Sequence, residues 1–264
     1  MKLCANLSML FTELPLPERI GAAAEAGFAA VEIQFPYALP AEALRAALDA
    51  AGLPLLLINL PAGDLMDGGP GLAAVPGRQA EFDAALAEAL AYARVVRPQC
   101  VNVLPGRLAD GVSHAAARET LAGNLRRSAE AFAPLGIRVL AEAINPLDMP
   151  GFLVNTPEDL LALLAAVDHP NCAAQLDLYH MARQGLDLPT CIAALAGRIG
   201  HVQFADCPGR GAPGTGTMDF AAARAALREA GYAGWLAAEY RPGEAGTAAS
   251  LAWLAQWLAQ WQSQ

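Results

Sequence analysis

Four apolar runs in this chain each close on a side chain that can hold a cation or move a proton: Val139-Leu-Ala-Glu142, Ala173-Ala-Gln175-Leu-Asp177, His201-Val-Gln203 and Trp235-Leu-Ala-Ala-Glu239. Side chains alternate between the faces of an extended strand, so Gln175 and Asp177 share a face. His180 follows Asp177 by three residues. A lone D-x-x-H is a weak signal, and a carboxylate closing one strand is as often a helix cap or a salt-bridge partner. Four such positions on four successive runs carry more weight. Three carboxylates converging in a low-dielectric pocket repel, and protonation or a cation must relieve the repulsion. An all-oxygen set without thiolate points to one divalent ion, Mg²⁺ or Mn²⁺ rather than zinc. His180, Arg210 and Arg107 fall just past strand ends, where they could meet a substrate carboxylate; Asn59 closes an earlier run.

Strand-like and helix-like runs alternate eight times along the chain. Strands are predicted over 2–7, 30–34, 53–60, 100–104, 138–143, 172–177, 199–204 and 234–239, and the third reads as buried on both faces, as parallel strands are. Between them, helices are predicted over 17–26, 40–51, 78–96, 114–134, from Thr156 onward, 188–196 and 220–230, and a last one over 246–260. Thr156-Pro-Glu158 combines a capping hydroxyl, a first-turn proline and an acid near the positive dipole end. Eight strand–helix pairs argue for an α/β chain folded as a single (β/α)8 TIM barrel over residues 1–264, with the site at the C-terminal strand ends. That mouth would be amide on one half (Asn6, Gln34, Asn59, Asn102) and acidic on the other. The turn-rich stretch 61–77 has a length uncommon unless it covers a site, and it lacks the G-K-[ST] of a phosphate loop. Trp253, Trp257 and Trp261 lie four apart on the last helix, a stripe expected to pack on the barrel, with a homo-oligomer face as the second reading.

Composition narrows the chemistry. With 55% hydrophobic and 16% charged residues in 264, the chain can bury a large core. The net charge of −9 disfavours a nucleic-acid partner. No apolar run is long enough to span a membrane, and the N-terminus lacks the pattern of a signal peptide. Five cysteines without C-x-x-C spacing, three of them on apolar strands, favour a reducing cytoplasm. Lys2 is the only lysine and would start the first strand, far from the mouth, which excludes a Schiff-base mechanism.

Taken together, the motifs resemble the hydroxypyruvate isomerase family, within the wider xylose-isomerase-like barrels. The resemblance runs almost end to end, through Ala5-Asn6-Leu-Ser-Met-Leu-Phe11, Asn59-Leu-Pro-Ala-Gly-Asp64, Pro76-Gly-Arg78 with Glu81-Phe82, Glu142-Ala-Ile-Asn145 and Pro150-Gly-Phe152. It continues in Asp177-Leu-Tyr-His-Met181, Gly200-His-Val-Gln203 with Ala205-Asp206, Pro213-Gly-Thr-Gly216, and Gly234-Trp235 with Glu239-Tyr240. The resemblance implies that Glu142, Asp177, Gln203 and Glu239 are metal ligands, that Glu142 and Glu239 are the acid/base pair, and that His180 acts on substrate hydroxyls. The family's loop usually reads Gly-Glu-Pro-Gly-Thr-Gly-Glu; here Ala212 and Thr217 stand where it has acids.

What the resemblance implies chemically is isomerisation of a small hydroxy-oxo acid, hydroxypyruvate to tartronate semialdehyde, by proton transfer through an enediolate. A cation on the two substrate oxygens would stabilise the developing charge, and flanking carboxylates would carry the proton. A 2-oxo-tetronate isomerase or a ketose epimerase is the close alternative. A metal-dependent phosphoesterase is the alternative of another class, and it would need a histidine-rich metal cluster and a basic surface where this chain has four histidines and a negative charge.

Overall fold

Every pairing between named strands is parallel, which forces each connection to cross the sheet through a helix or a long loop. The structure, a computed structural model, describes residues 1–262, with side chains through 259. The strands are β1 (Lys2–Asn6), β2 (Ala30–Glu32), β3 (Leu57–Asn59), β4 (Cys100–Asn102), β5 (Arg138–Glu142), β6 (Cys172–Asp177), β7 (Ile199–Phe204) and β8 (Trp235–Ala238). They run in the order β2-β1-β8-β7-β6-β5-β4-β3. Leu56 N–H donates to Val31 O at 2.8 Å, and Asn59 N–H to Gln34 O at 2.7 Å, so β2 and β3 meet and the ring closes. This is the predicted barrel.

The helices are α1 (Leu16–Glu25), α2 (Ala41–Ala51), α3 (Gln79–Val96), α4 (His114–Phe132), α5 (Pro157–Val167), α6 (Leu178–Arg183), α7 (Leu188–Ala194), α8 (Phe220–Glu229), α9 (Gly246–Ala249) and α10 (Ala252–Gln262). Their starts follow local chemistry: Ser113, Thr156, Asp187 and Asp219 each accept an N–H from the first turn of the helix they precede.

Period-two alternation layers the barrel interior. Cys4, Ala30, Leu57, Cys100, Leu140, Ala173 and Ala237 form an apolar plug. Two residues further along stand Asn6, Glu32, Asn59, Asn102, Glu142 and Gln175 and, just past β8, Glu239, all buried. The apolar plug therefore gives way, one side-chain layer up, to a polar layer at the mouth.

Most element bounds fall within a residue or two of expectation, and three larger differences stand out. The third strand shortens to Leu57–Asn59, and ahead of it Leu55 makes only an isolated bridge to Val31 at the closing seam. The last helix is two, α9 and α10: the Ser250 hydroxyl donates to Thr247 O at 2.7 Å and meets the Tyr240 hydroxyl at 2.8 Å at the break. A short helix not predicted, α6, starts immediately after Asp177. The tryptophan stripe packs inward as expected, with Trp253 and Trp257 against Phe204 at 5.5 and 5.2 Å between ring centroids. The Trp261 side chain lies outside those described. Lys2 opens β1 and sits over the Trp235 ring, at the end of the barrel away from the mouth.

Candidate active site

Asp177 ends β6 and does two jobs. Its Oδ1 accepts the Tyr179 N–H at 2.8 Å, capping α6, while Oδ2 is buried without a hydrogen-bond partner. The helical turn so started carries His180 back over the strand end, with Nε2 at 3.5 Å from Asp177 Oδ2 and 4.0 Å from Glu142 Oε1. Glu142 closes β5 and is held from below by Asn102 Nδ2 at 3.0 Å. Glu239 lies one residue past β8, where its N–H donates to Phe204 O at 3.0 Å, and Gln34 donates to its Oε1.

Between the acids stands Arg210. Its Nη2 lies 3.1 Å from Glu239 Oε2 and 3.5 Å from Asp177 Oδ2, and its guanidinium stacks on the Tyr179 ring at 5.0 Å. Its backbone is left-handed, at φ 53°, in the loop 206–217. The Asp206 carboxylate organises that loop by accepting the N–H groups of Cys207, Gly214, Gly216 and Met218 at 2.8–3.0 Å. Gly216 is required there, since a Cβ would collide with the Cys207 carbonyl oxygen. The loop thus closes on Asp206, with Ala212 buried and Thr217 bonded through its N–H to Cys207 O.

These groups surround a cavity of about 310 Å³. Of the residues expected from sequence, Glu142, Gln203, Glu239, His180, Arg210, Arg107 and Asn59 line it, and Asp177 lies just beneath. One atom each of Glu142, Asp177 and His180 lie within 4.8 Å of one another. Glu239 is not among those three; its Oε2 lies 3.1 Å from Arg210 Nη2. Arg107 is partly committed elsewhere, its Nη1 donating to Leu65 O and Gly69 O at 2.7 and 2.9 Å. Those carbonyls belong to the stretch 61–77, which packs against the cavity through Leu65 and Met66. Gly106 lets it approach, because a Cβ there would strike the Pro70 carbonyl oxygen.

Electrostatics follow burial. Desolvation, then Glu239 and Asp177, push the Glu142 carboxyl well above the usual range. Desolvation also raises Glu239, against the pull of Arg210. Burial lowers His180 to about 4, so it is neutral. Arg210 loses to desolvation but gains more from Glu239, Asp177 and Glu142, and stays charged.

The residues also fit a divalent cation. Buried side-chain oxygens of Asn59 and Gln175 at the cavity, and of Asp177 beside it, have no hydrogen-bond partner, and such an acceptor calls for a donor or a cation.

Sequence reasoning missed the layer below. Glu32 accepts from Asn6 Nδ2 at 2.8 Å, Gln203 Nε2 at 2.7 Å and His201 Nε2 at 2.6 Å. The signal was present, since Glu32 precedes Gln34 by two on the same strand face. Asp148 and Arg241, which also line the cavity, carried no such signal.

Residues 20–257 match the family described as Xylose isomerase-like TIM barrel. The chain belongs to this family. Among its relatives, this family member is 40% identical over 253 residues to a 2-oxo-tetronate isomerase of Cupriavidus necator, covering 96% of this chain and 97% of that one. It is 38% identical over 254 residues to a hydroxypyruvate isomerase of Escherichia coli, covering 96% and 98%. Both relatives are isomerases. A solved structure described as an AP endonuclease, family 2, from Brucella melitensis shares 37% identity at a TM-score of 0.92, over 97% of this chain and 98% of that one.

Proposed function

We propose that the protein isomerises a small hydroxy-oxo acid, with hydroxypyruvate and tartronate semialdehyde as the leading pair. The observation that carries the reading is a pair of buried glutamates, Glu142 and Glu239, facing one small cavity, with the Arg210 guanidinium 3.1 Å from Glu239. Two carboxylates held at one buried site can remove a carbon-bound proton and return one. The cavity, about 310 Å³, sits at the small end of ligand pockets, which run from roughly 300 Å³ upward. Names of the relatives favour the same substrate class and keep a 2-oxo-tetronate as the alternative.

In this reading one glutamate removes the proton from one carbon and the other returns a proton to its neighbour. Arg210 offsets the substrate carboxylate and the developing oxyanion. His180 contacts a substrate oxygen, and the stretch 61–77 limits water at the cavity. Glu142, Asp177, Gln203 and Glu239 would hold a divalent ion, Mg²⁺ or Mn²⁺, which supplies Lewis-acid stabilisation of the oxyanion when bound.

The test is a side-by-side panel of hydroxypyruvate, 2-oxo-tetronates, free ketoses and abasic-site DNA, run on chelator-treated protein with and without Mg²⁺ or Mn²⁺. Turnover of a hydroxy-oxo acid that needs the added ion is expected. Turnover confined to ketoses, or cleavage of the DNA without isomerisation, would sink the reading.

A further inference from the structure

Distance alone groups His180 with Glu142 and Asp177 as a cation-holding trio. Hydrogen bonding gives His180 a different task. Asn145, fully buried just past β5, accepts the Asp148 backbone N–H on Oδ1 at 2.8 Å. Its Nδ2 faces the Asp148 carboxylate, 3.1 Å from Oδ2. A backbone N–H can only donate. The Asp148 carboxylate also accepts from the Tyr179 hydroxyl at 2.8 Å and lies near Arg183 Nε at 3.6 Å, so it can only accept. Both ends of the Asn145 amide are therefore assigned by partners of fixed polarity, oxygen to the N–H and nitrogen to the carboxylate.

The same Nδ2 lies 2.6 Å from His180 Nδ1. An amide nitrogen has only hydrogens to offer, so Nδ1 must present its lone pair. A neutral imidazole with a bare Nδ1 carries its proton on Nε2. That Nε2 is the atom 3.5 Å from Asp177 Oδ2 and 4.0 Å from Glu142 Oε1. A nitrogen that bears a proton donates; it cannot ligate a cation. We propose that Asn145 is a positioning residue that fixes His180 as an Nε2–H donor to a substrate oxygen and keeps it out of the cation's ligand set. The identity of the accepting oxygen rests on the isomerase reading; the tautomer does not.

The deciding experiment is long-range ¹H–¹⁵N NMR of histidine-labelled, Mg²⁺-loaded protein, with the His180 signals identified by their loss in His180→Gln. The wild-type protein should show a protonated Nε2 and a bare Nδ1. A protonated Nδ1, or an Nε2 without a proton, overturns the proposal. In Asn145→Asp the new carboxylate accepts, so the pattern should reverse, and kcat/KM for the best hydroxy-oxo acid should fall roughly 10–100-fold, the usual cost of losing an orienting partner. The wild-type spectrum decides the matter even where that variant fails to fold. Calorimetric Mn²⁺ affinity gives an independent reading: His180→Gln should bind within about threefold of wild type, whereas a loss of roughly tenfold or more marks a ligand and overturns the proposal. A substrate panel that is inert beside a protonated Nε2 would defeat the proposed reaction and leave this assignment standing. Turnover beside a protonated Nδ1 would do the reverse.

Discussion

Glu32 and His201 meet across the barrel interior at 2.6 Å, Oε2 to Nε2, with the carboxylate 0% and the imidazole 3% exposed. Glu32 also accepts from Asn6 and Gln203, so one carboxylate anchors three side chains from two other strands, β1 and β7, directly below the cavity. Replacing Glu32 by Ala leaves three buried donors unpaired and should cost at least ~3 kcal/mol. Glu32→Gln, which keeps an acceptor and the volume, should cost less. Urea denaturation measures both, and equal, small losses would show that the network contributes little.

Glu142→Gln and Glu239→Gln each remove a proton-transfer group, and each should lower kcat by about 10²–10⁴-fold. Loss of a cation could imitate this, so the isotopic result is the cleaner one. In D₂O the wild-type product should gain carbon-bound deuterium; complete retention of the substrate hydrogen would count against proton transfer and for a hydride shift.

Arg210 is the charged group between Asp177 and Glu239. In Arg210→Ala the KM for a hydroxy-oxo acid should rise well beyond that for a neutral ketose, because only the acid loses a charge partner. Equal changes for the two would assign Arg210 to holding the acids rather than the substrate.

The stretch over the cavity is braced by Arg78, whose Nη1 lies 2.7 Å from Asp64 Oδ1. Burial alone would raise the Asp64 carboxyl, but hydrogen bonds from Arg78 and the Gly71 N–H outweigh it and hold it below the usual range. A carboxyl depressed in the folded state stabilises fully above its unfolded pKa, about 3.9, and the contribution disappears as pH falls through the lower folded value. At neutral pH, Arg78→Leu should therefore speed proteolytic cleavage within 61–77. The difference from wild type should shrink as pH falls below the unfolded value and on through the lower folded one. A difference that does not change with pH would place the brace in the Arg78 packing, not in its charge.

Some of this protein could be read along the chain. Strand ends, capping residues and the eightfold alternation depend on neighbours a few residues away, so Thr156 announces α5, and Gln203 and Glu239 announce inward-facing ends. Residues at period two on one strand share a face whatever the rest of the chain does. The same locality left Asp177 ambiguous between cap and site residue; in the fold its two oxygens serve both.

Tertiary structure decided the pairings that only barrel closure creates. His201 lies 169 positions from Glu32, and Gln34 lies 205 from the Glu239 it supports. Arg210 reaches the acids because a loop closed on Asp206 holds its backbone left-handed, and Asn145 sets the polarity of His180 across 35 residues. None of these follows from composition or period, because sequence separation carries no distance until the strands have chosen their neighbours and register. The residue types at the mouth are a property of the sequence; which atom of each faces the cavity is settled by partners that the closed ring of strands brings within hydrogen-bond reach.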